Sequence, residues 1–188
     1  MEDRLLDKIA EPFNLNLPEY TSMEEMIDNL LPVVGRFSDA SLDDEHAAVY
    51  NVDWVKMTDV PGVKVVSLHT FMANSGEVRI ANDGKMDAMS FKVLSAKRVI
   101  VGQSIHREAY LYELAFMDND FFILKRHGNE ANFQREKYLF YCREAIGTRL
   151  EWHEALEQIA DKYRNNNFPW WIVVVVLVIV VGALAYLR

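Results

Sequence analysis

The stretch HTFMANSGEVRIANDG, residues 69–84, contains two hairpin turn sequences, Asn-Ser-Gly at 74–76 and Asn-Asp-Gly at 82–84. The segment between them alternates charged and apolar side chains, so Val78 and Ile80 are expected to face a core while their neighbours face water. Asn or Asp followed by Gly is favoured in tight hairpin turns, which require positive φ angles. This stretch therefore predicts antiparallel strands joined by short turns.

The same pattern continues on both sides of this stretch, with short links between the runs. The predicted strands are Val63–Met72, Glu77–Ala81, Ala88–Leu94, Arg98–Gly102, Glu108–Asp118, Asp120–Arg126 and Lys137–Cys142. Further core candidates are Leu111, Phe116, Phe121 and Ile123. Seven short strands in sequence order predict an antiparallel β-meander, as a strongly curved sheet or a partial barrel.

Helical patterns flank the meander. In the N-terminal part, residues 1–60, Thr21 or Ser22 can cap a helix whose apolar face begins at Met23 and Met26. Residues 143–165 carry apolar side chains at helical spacing and predict one long C-terminal helix. The predicted class is α+β: N-terminal helices, a meander over 63–142, and a long C-terminal helix leading into one transmembrane helix.

The predicted transmembrane helix occupies residues 168–188, where no charge occurs between Trp170 and Leu187. At about 1.5 Å per residue, this length matches the hydrocarbon core of a bilayer. The membrane-anchor residues are Pro169 in the first turn and the interfacial aromatics Trp170, Trp171 and Tyr186. The small residues Gly182, Ala183 and Ala185 form a candidate helix–helix packing patch.

The charge and the cysteine content of the chain indicate its cellular compartment and the kinds of partner that it binds. The chain has 188 residues, a net charge of −8 and one cysteine, Cys142. An acidic chain without clustered Lys and Arg is a poor nucleic-acid binder, so no direct nucleic-acid binding is expected. The acidic N-terminus does not resemble a secretory signal. We expect a single-pass inner-membrane protein with a cytosolic α+β domain, residues 1–167.

The sequence contains few motifs that are associated with catalysis or with cofactor binding. The sequence has no phosphate-binding glycine loop and no zinc-binding histidine pair, so no cofactor, metal site or catalytic residue is predicted. The five histidines are expected on the surface or in turns. A candidate functional pair is Arg149 and His153, four apart on the predicted helix and therefore on one face.

The Arg149–His153 pair resembles the arginine–histidine signature of HEPN ribonucleases, with one residue too few between them. Those domains are also entirely helical, so no nuclease activity is carried over. A cavity inside the meander, as in lipocalin barrels, is an alternative way to bind a small molecule.

Two segments, HTFMANSGEVRIANDG at 69–84 and YLYELAFMDNDFFILKRHGNEANF at 110–133, resemble small β-meander proteins. Together with the predicted membrane helix, they make the chain similar in overall plan to the accessory membrane protein of type VI-B CRISPR systems. That resemblance implies oligomeric, pore-like assemblies in the inner membrane that reinforce antiviral defence.

The predicted function is that of a non-enzymatic membrane-anchored protein that self-associates at the inner membrane, as a pore-like accessory in antiviral defence. The expected partners are the lipid bilayer and further copies of the chain, as a homo-oligomer. The alternative is a tail-anchored adaptor that recruits a soluble protein partner through its β domain.

Overall fold

The computed structural model describes residues 20–39, 41–60, 66–104, 107–128 and 136–164. Eight antiparallel strands form a closed barrel in which each strand pairs with the next along the chain. The strands are β1 Asp53–Lys56, β2 Ser67–Met72, β3 Glu77–Asn82, β4 Lys85–Ser95, β5 Arg98–Ser104, β6 Arg107–Met117, β7 Phe121–Arg126 and β8 Tyr138–Arg143. The barrel closes where β1 also pairs with β8, with Val55 opposite Cys142.

Three α-helices accompany the barrel in the described residues: α1 Met23–Val34, α2 Glu144–Gly147 and α3 Trp152–Arg164. Helix α1 starts at Ser22, whose hydroxyl accepts a hydrogen bond from the Glu25 backbone N–H at 3.3 Å. This side chain satisfies one of the backbone donors that a helix start leaves free. A 3₁₀ turn, Gly35–Phe37, follows α1 directly.

The hydrophobic core has two parts, one inside the barrel and one outside. Inside, aromatic rings pack against one another, with the Phe71 ring 5.5 Å from both Phe122 and Tyr141. Outside, α1 and α3 pack over the outward faces of β1, β7, β8 and the end of β6. Strands β7 and β8 are therefore buried on both faces, which explains their continuous apolar sequences.

Both hairpin turns predicted from the sequence of residues 69–84 are present. The β3–β4 turn has φ of 47° at Asp83 and 78° at Gly84, which is the backbone of a type I′ hairpin. Gly76, with φ of 67°, lies in the β2–β3 turn. An Asn-x-Gly sequence thus sets the local geometry of each turn.

The predicted curved sheet or partial barrel is wrong, because the sheet closes completely. The strand that closes it, β1, has only four residues and lies in the region predicted to be helical. Residues 41–52 in that region form turns instead of a helix. Their backbone is held by the barrel: Leu42 donates to the Ala96 carbonyl, and Asn51 donates to the Phe71 carbonyl, both at 2.8 Å.

The predicted long C-terminal helix is also wrong, since the chain turns between α2 and α3. A Cβ atom at Gly147 would lie 2.5 Å from the Val55 Cβ, so α2 ends in very close contact with β1. After the turn, the Glu151 backbone N–H donates to the Glu154 carboxylate at 2.8 Å, which caps α3 as a new helix.

The prediction of a single-pass inner-membrane protein is corrected as well. Across the ranges described between residues 20 and 164, no helix has the length and apolar character needed to cross a membrane. The segment to which the prediction assigned the membrane helix, 168–188, lies outside the described residues.

Candidate functional site

The candidate site is a cavity of about 400 Å³ where the loop of residues 41–50 lies against β4. Its apolar lining comes from Leu42, Tyr50, Ala73, Phe91 and Val93. Asp43, Glu45, Lys92 and Leu94 also line it, and all four are exposed. The site therefore combines an apolar floor, both signs of charge and an exposed leucine.

The floor of the cavity is fixed by hydrogen bonds and ring contacts. The Tyr50 hydroxyl donates to the Leu42 carbonyl, which ties the two ends of the loop together. The Tyr50 ring lies 5.9 Å from the Phe91 ring in an edge-to-face arrangement. Phe91 in turn donates its backbone N–H to the Gly76 carbonyl at 2.7 Å. These contacts fix the positions of Tyr50 and Phe91 in the floor.

Acidic side chains dominate the loop side of the cavity. Burial, with Asp43 and Asp44 nearby, raises the pKa of Tyr50 to about 12, so its phenol stays protonated. Asp43 accepts a hydrogen bond from the Ser41 hydroxyl at 2.6 Å. Lys92 brings the opposite charge to the same rim from β4. The rim thus carries both carboxylates and an ammonium group.

Leu94 is the unusual residue of this rim, because half of its surface is exposed although the side chain is large and apolar. It lies where the pairing of β4 with β5 shifts register between Val93 and Ser95. A bulge of this kind re-aims a side chain relative to the regular sheet. The bulge places an exposed apolar group next to an apolar cavity.

A second polar position lies inside the barrel, at His69 on β2. The side chain is only 4% exposed, and its Nε2 lies 2.8 Å from the Ser67 hydroxyl. Burial, with a smaller contribution from Lys56, lowers the pKa of His69 to about 4, so the ring is neutral at pH 7. A serine–histidine nucleophile needs a third group to orient the ring. Among the described residues Nδ1 has no hydrogen-bond partner, so the pair lacks that arrangement.

Asp118 forms a third polar cluster, which has a structural role. Its Oδ1 accepts hydrogen bonds from the backbone N–H groups of Asp120 and Phe121, each at 2.8 Å. Its Oδ2 accepts from the Tyr163 hydroxyl at 2.5 Å and from the Lys162 ammonium at 2.9 Å. Asp118 therefore connects the β6–β7 turn to α3.

The predicted functional pair is divided between two elements. Arg149 is exposed in the turn after α2, where its backbone N–H donates to the Ile146 carbonyl at 2.9 Å. His153 lies at the start of α3, with Nδ1 3.8 Å from the Glu151 carboxylate. The two residues therefore do not share one helical face as the prediction required.

The remaining predicted site residues, Pro169, Trp170, Trp171, Gly182, Ala183, Ala185 and Tyr186, lie outside the described residues. Within the part of the chain that the structure describes, no three His, Cys, Asp or Glu side chains are grouped so that they could hold a metal ion. Cys142 is fully buried between β8 and the helices, and burial raises the pKa of its thiol.

Sequence reasoning missed the cavity and its rim. The cavity joins residues of the 41–50 loop to residues of β4 that lie some fifty positions later, a proximity that depends on barrel closure. One local signal was available: counted in steps of two from Lys92, Leu94 falls on the outer face of the predicted strand Ala88–Leu94. An isolated surface leucine is common, so that signal alone does not define a site.

Comparison with known proteins adds little. No protein-family model matches the chain, and no curated protein matches it. Among solved structures, pallilysin from Treponema pallidum is similar with a TM-score of 0.34 and 14% identity. That match covers 67% of this chain and 98% of the pallilysin chain. A likeness this weak carries no functional argument.

Proposed function

We propose that this protein is a non-enzymatic, self-associating module whose barrel docks onto further copies of the chain. The observation that carries the proposal is the side of the barrel left bare by the described helices. Those helices cover β1, β7, β8 and the end of β6. On β4, by contrast, Met86 is 70% exposed and Leu94 is 50% exposed.

The closed barrel limits how a partner can bind. A closed sheet has no edge strand, so a partner cannot add a strand through backbone hydrogen bonds. Docking must therefore use side chains on the outer surface. Exposed methionine and leucine side chains suit such contacts, since interfaces gain affinity mainly from buried apolar anchors.

Charge favours this side for contact between copies. The whole chain carries a net charge of −8, which makes copies repel one another over most of their surface. The outward positions of β3 to β6 carry both signs: Arg79, Lys92 and Arg98, and Glu77 and Glu113. The side on which these apolar side chains are exposed therefore offers both charges for pairing between copies.

The resemblance to the accessory protein of type VI-B CRISPR systems implies oligomers and a role in antiviral defence. A defence role remains part of the proposal. Co-expression with the RNA-guided ribonuclease of such a system would test it through a gain in phage resistance. If phage resistance does not increase, the defence role is wrong. Self-association is tested separately.

Light scattering on the full-length protein tests self-association directly. A mild non-ionic detergent is needed because the sequence from Trp170 to Leu187 is uncharged. We expect a detergent-corrected mass at least twice that of the chain, falling towards the monomer on dilution. A monomer at every concentration would contradict the proposal. A monomer that captures a different protein stoichiometrically would instead favour recruitment of a soluble partner.

A further inference from the structure

We propose that two copies of the chain dock at the cavity between the 41–50 loop and β4, with Leu94 of each copy seated in the cavity of the other. This contact rests on the proposed self-association and names the surface that performs it. The cavity and the leucine are parts of one surface. When two such surfaces meet about a two-fold axis, the leucine of each copy therefore faces the cavity of the other.

The shape of the surface favours this occupant. Leu94 is held at a bulge in β4, half exposed, beside a cavity lined by Leu42, Tyr50 and Phe91. Within the described part of the chain, no residue covers the exposed half of its side chain. A second copy would both bury this leucine and fill the cavity that it borders.

The charges of the rim are self-complementary. Asp43 and Glu45 lie on the loop side, and Lys92 lies on the β4 side. In a two-fold contact, residue i of one copy meets residue j of the other, and j meets i. Lys92 can then face the carboxylates of the second copy twice in the same interface. The identical arrangement with like charges facing each other would be repulsive.

A stable contact needs more area than the cavity alone offers. Stable protein interfaces bury about 1,600 Å² in total, and a cavity of about 400 Å³ supplies only part of that area. The contact must extend along β4, where the outward residues Ala88 and Ser90 are small and allow close approach. We therefore expect a dimer that dissociates on dilution.

A charge-swap experiment tests the contact. K92E places carboxylates opposite carboxylates, and the double variant D43K/E45K places ammonium groups opposite ammonium groups. Sedimentation of each full-length variant in detergent is expected to show a dissociation constant raised about tenfold or more. An equimolar mixture of the two variants is expected to regain the dimer, because opposite charges again face each other.

Two further variants control this experiment. L94N is expected to weaken the dimer without any change of charge. E157K changes an exposed carboxylate on α3, away from the cavity, and is expected to leave the dimer unchanged. Far-UV circular dichroism verifies that each variant is folded before its mass is measured.

The outcomes separate this contact from the broader proposal. If the wild-type protein is an oligomer but the charge swap and L94N leave its mass unchanged, this contact is wrong and self-association stands. An assembly larger than a dimer that loses no subunits in L94N also overturns the two-fold contact. If the wild-type protein is a monomer throughout, both proposals fail.

Discussion

His69 has a neutral ring at pH 7 because the barrel encloses it and because Lys56 adds positive charge nearby. An unfolded histidine has a pKa of about 6.5, whereas that of folded His69 is about 4. Between these values the unfolded chain binds a proton that the folded chain does not. The free energy of unfolding therefore falls as the pH drops through this window.

We predict that His69 alone makes the protein about 3 kcal/mol less stable at pH 4 than at pH 7. Urea unfolding of wild type and H69L at several pH values measures this contribution. In H69L the loss of stability between pH 6.5 and pH 4 should be smaller by about that amount. H46Q, which removes an exposed histidine, is the matched control and should retain the loss of stability that His69 causes. Equal slopes for wild type and H69L would contradict the prediction.

The position of His69 could not be predicted from its neighbours. The alternation of Val78 and Ile80 correctly predicts which face of β3 is buried. In β2, however, His69 occupies the same face as Phe71, where an apolar side chain is expected. Polar residues at core positions are rare, so residue type alone favoured a surface histidine. The prediction was wrong for this residue because burial depends on the closed barrel.

At the scale of elements, α3 is attached to the barrel through Asp118 as well as through its apolar face. The Asp118 side chain is 8% exposed and pairs with Lys162. Burial lowers the pKa of Lys162, but its hydrogen bonds with Asp120 and Asp118 outweigh burial, so the pKa is raised overall. Burial and the same carboxylate raise the pKa of Tyr163. Both partners on α3 therefore stay protonated as donors.

We predict that D118N lowers the free energy of unfolding by roughly 1–3 kcal/mol, because an amide nitrogen, itself a donor, replaces the buried oxygen to which Tyr163 and Lys162 donate. The asparagine carbonyl can still accept the two backbone N–H groups of the β6–β7 turn. The loss should therefore be concentrated in α3, and hydrogen exchange of the α3 amides should become faster than that of the barrel strands.

The matched control is D120N. Asp120 also pairs with Lys162, at 2.6 Å, but its side chain is 43% exposed. Exposed ion pairs contribute less than about 1 kcal/mol. D120N should therefore change stability and α3 exchange only slightly. Equal effects of the two variants would show that burial of Asp118 is not what holds α3.

Local sequence patterns predicted the individual strands better than they predicted how strands and helices are arranged in space. Each of the seven predicted strand runs overlaps an observed strand, because alternation and turn residues act over a few neighbours. The break at Gly147 could not be predicted, since it depends on close approach to Val55 of β1. A helical pattern on both sides of such a break looks continuous in the sequence.

At the scale of the whole molecule, closure depends on β1, which is short and gives little signal of its own. Its Trp54 is fully buried inside the barrel, donates to the Val49 carbonyl at 2.9 Å, and has the Arg143 guanidinium 4.6 Å above its ring. Its Val55 packs outside, against the helix cluster. Loss of β1 would open both parts of the core together.

We therefore predict that the barrel unfolds as one cooperative unit. A variant in which Trp152, Trp170 and Trp171 are replaced by phenylalanine leaves Trp54 as the only fluorescent tryptophan. In urea, the red shift of Trp54 emission and the loss of far-UV circular dichroism should share one midpoint, as two-state unfolding requires. If Trp54 reaches water at lower urea than the sheet melts, the β1–β8 pairing opens first. The remaining strands would then form a stable open sheet, and closure would contribute little to the stability of the rest.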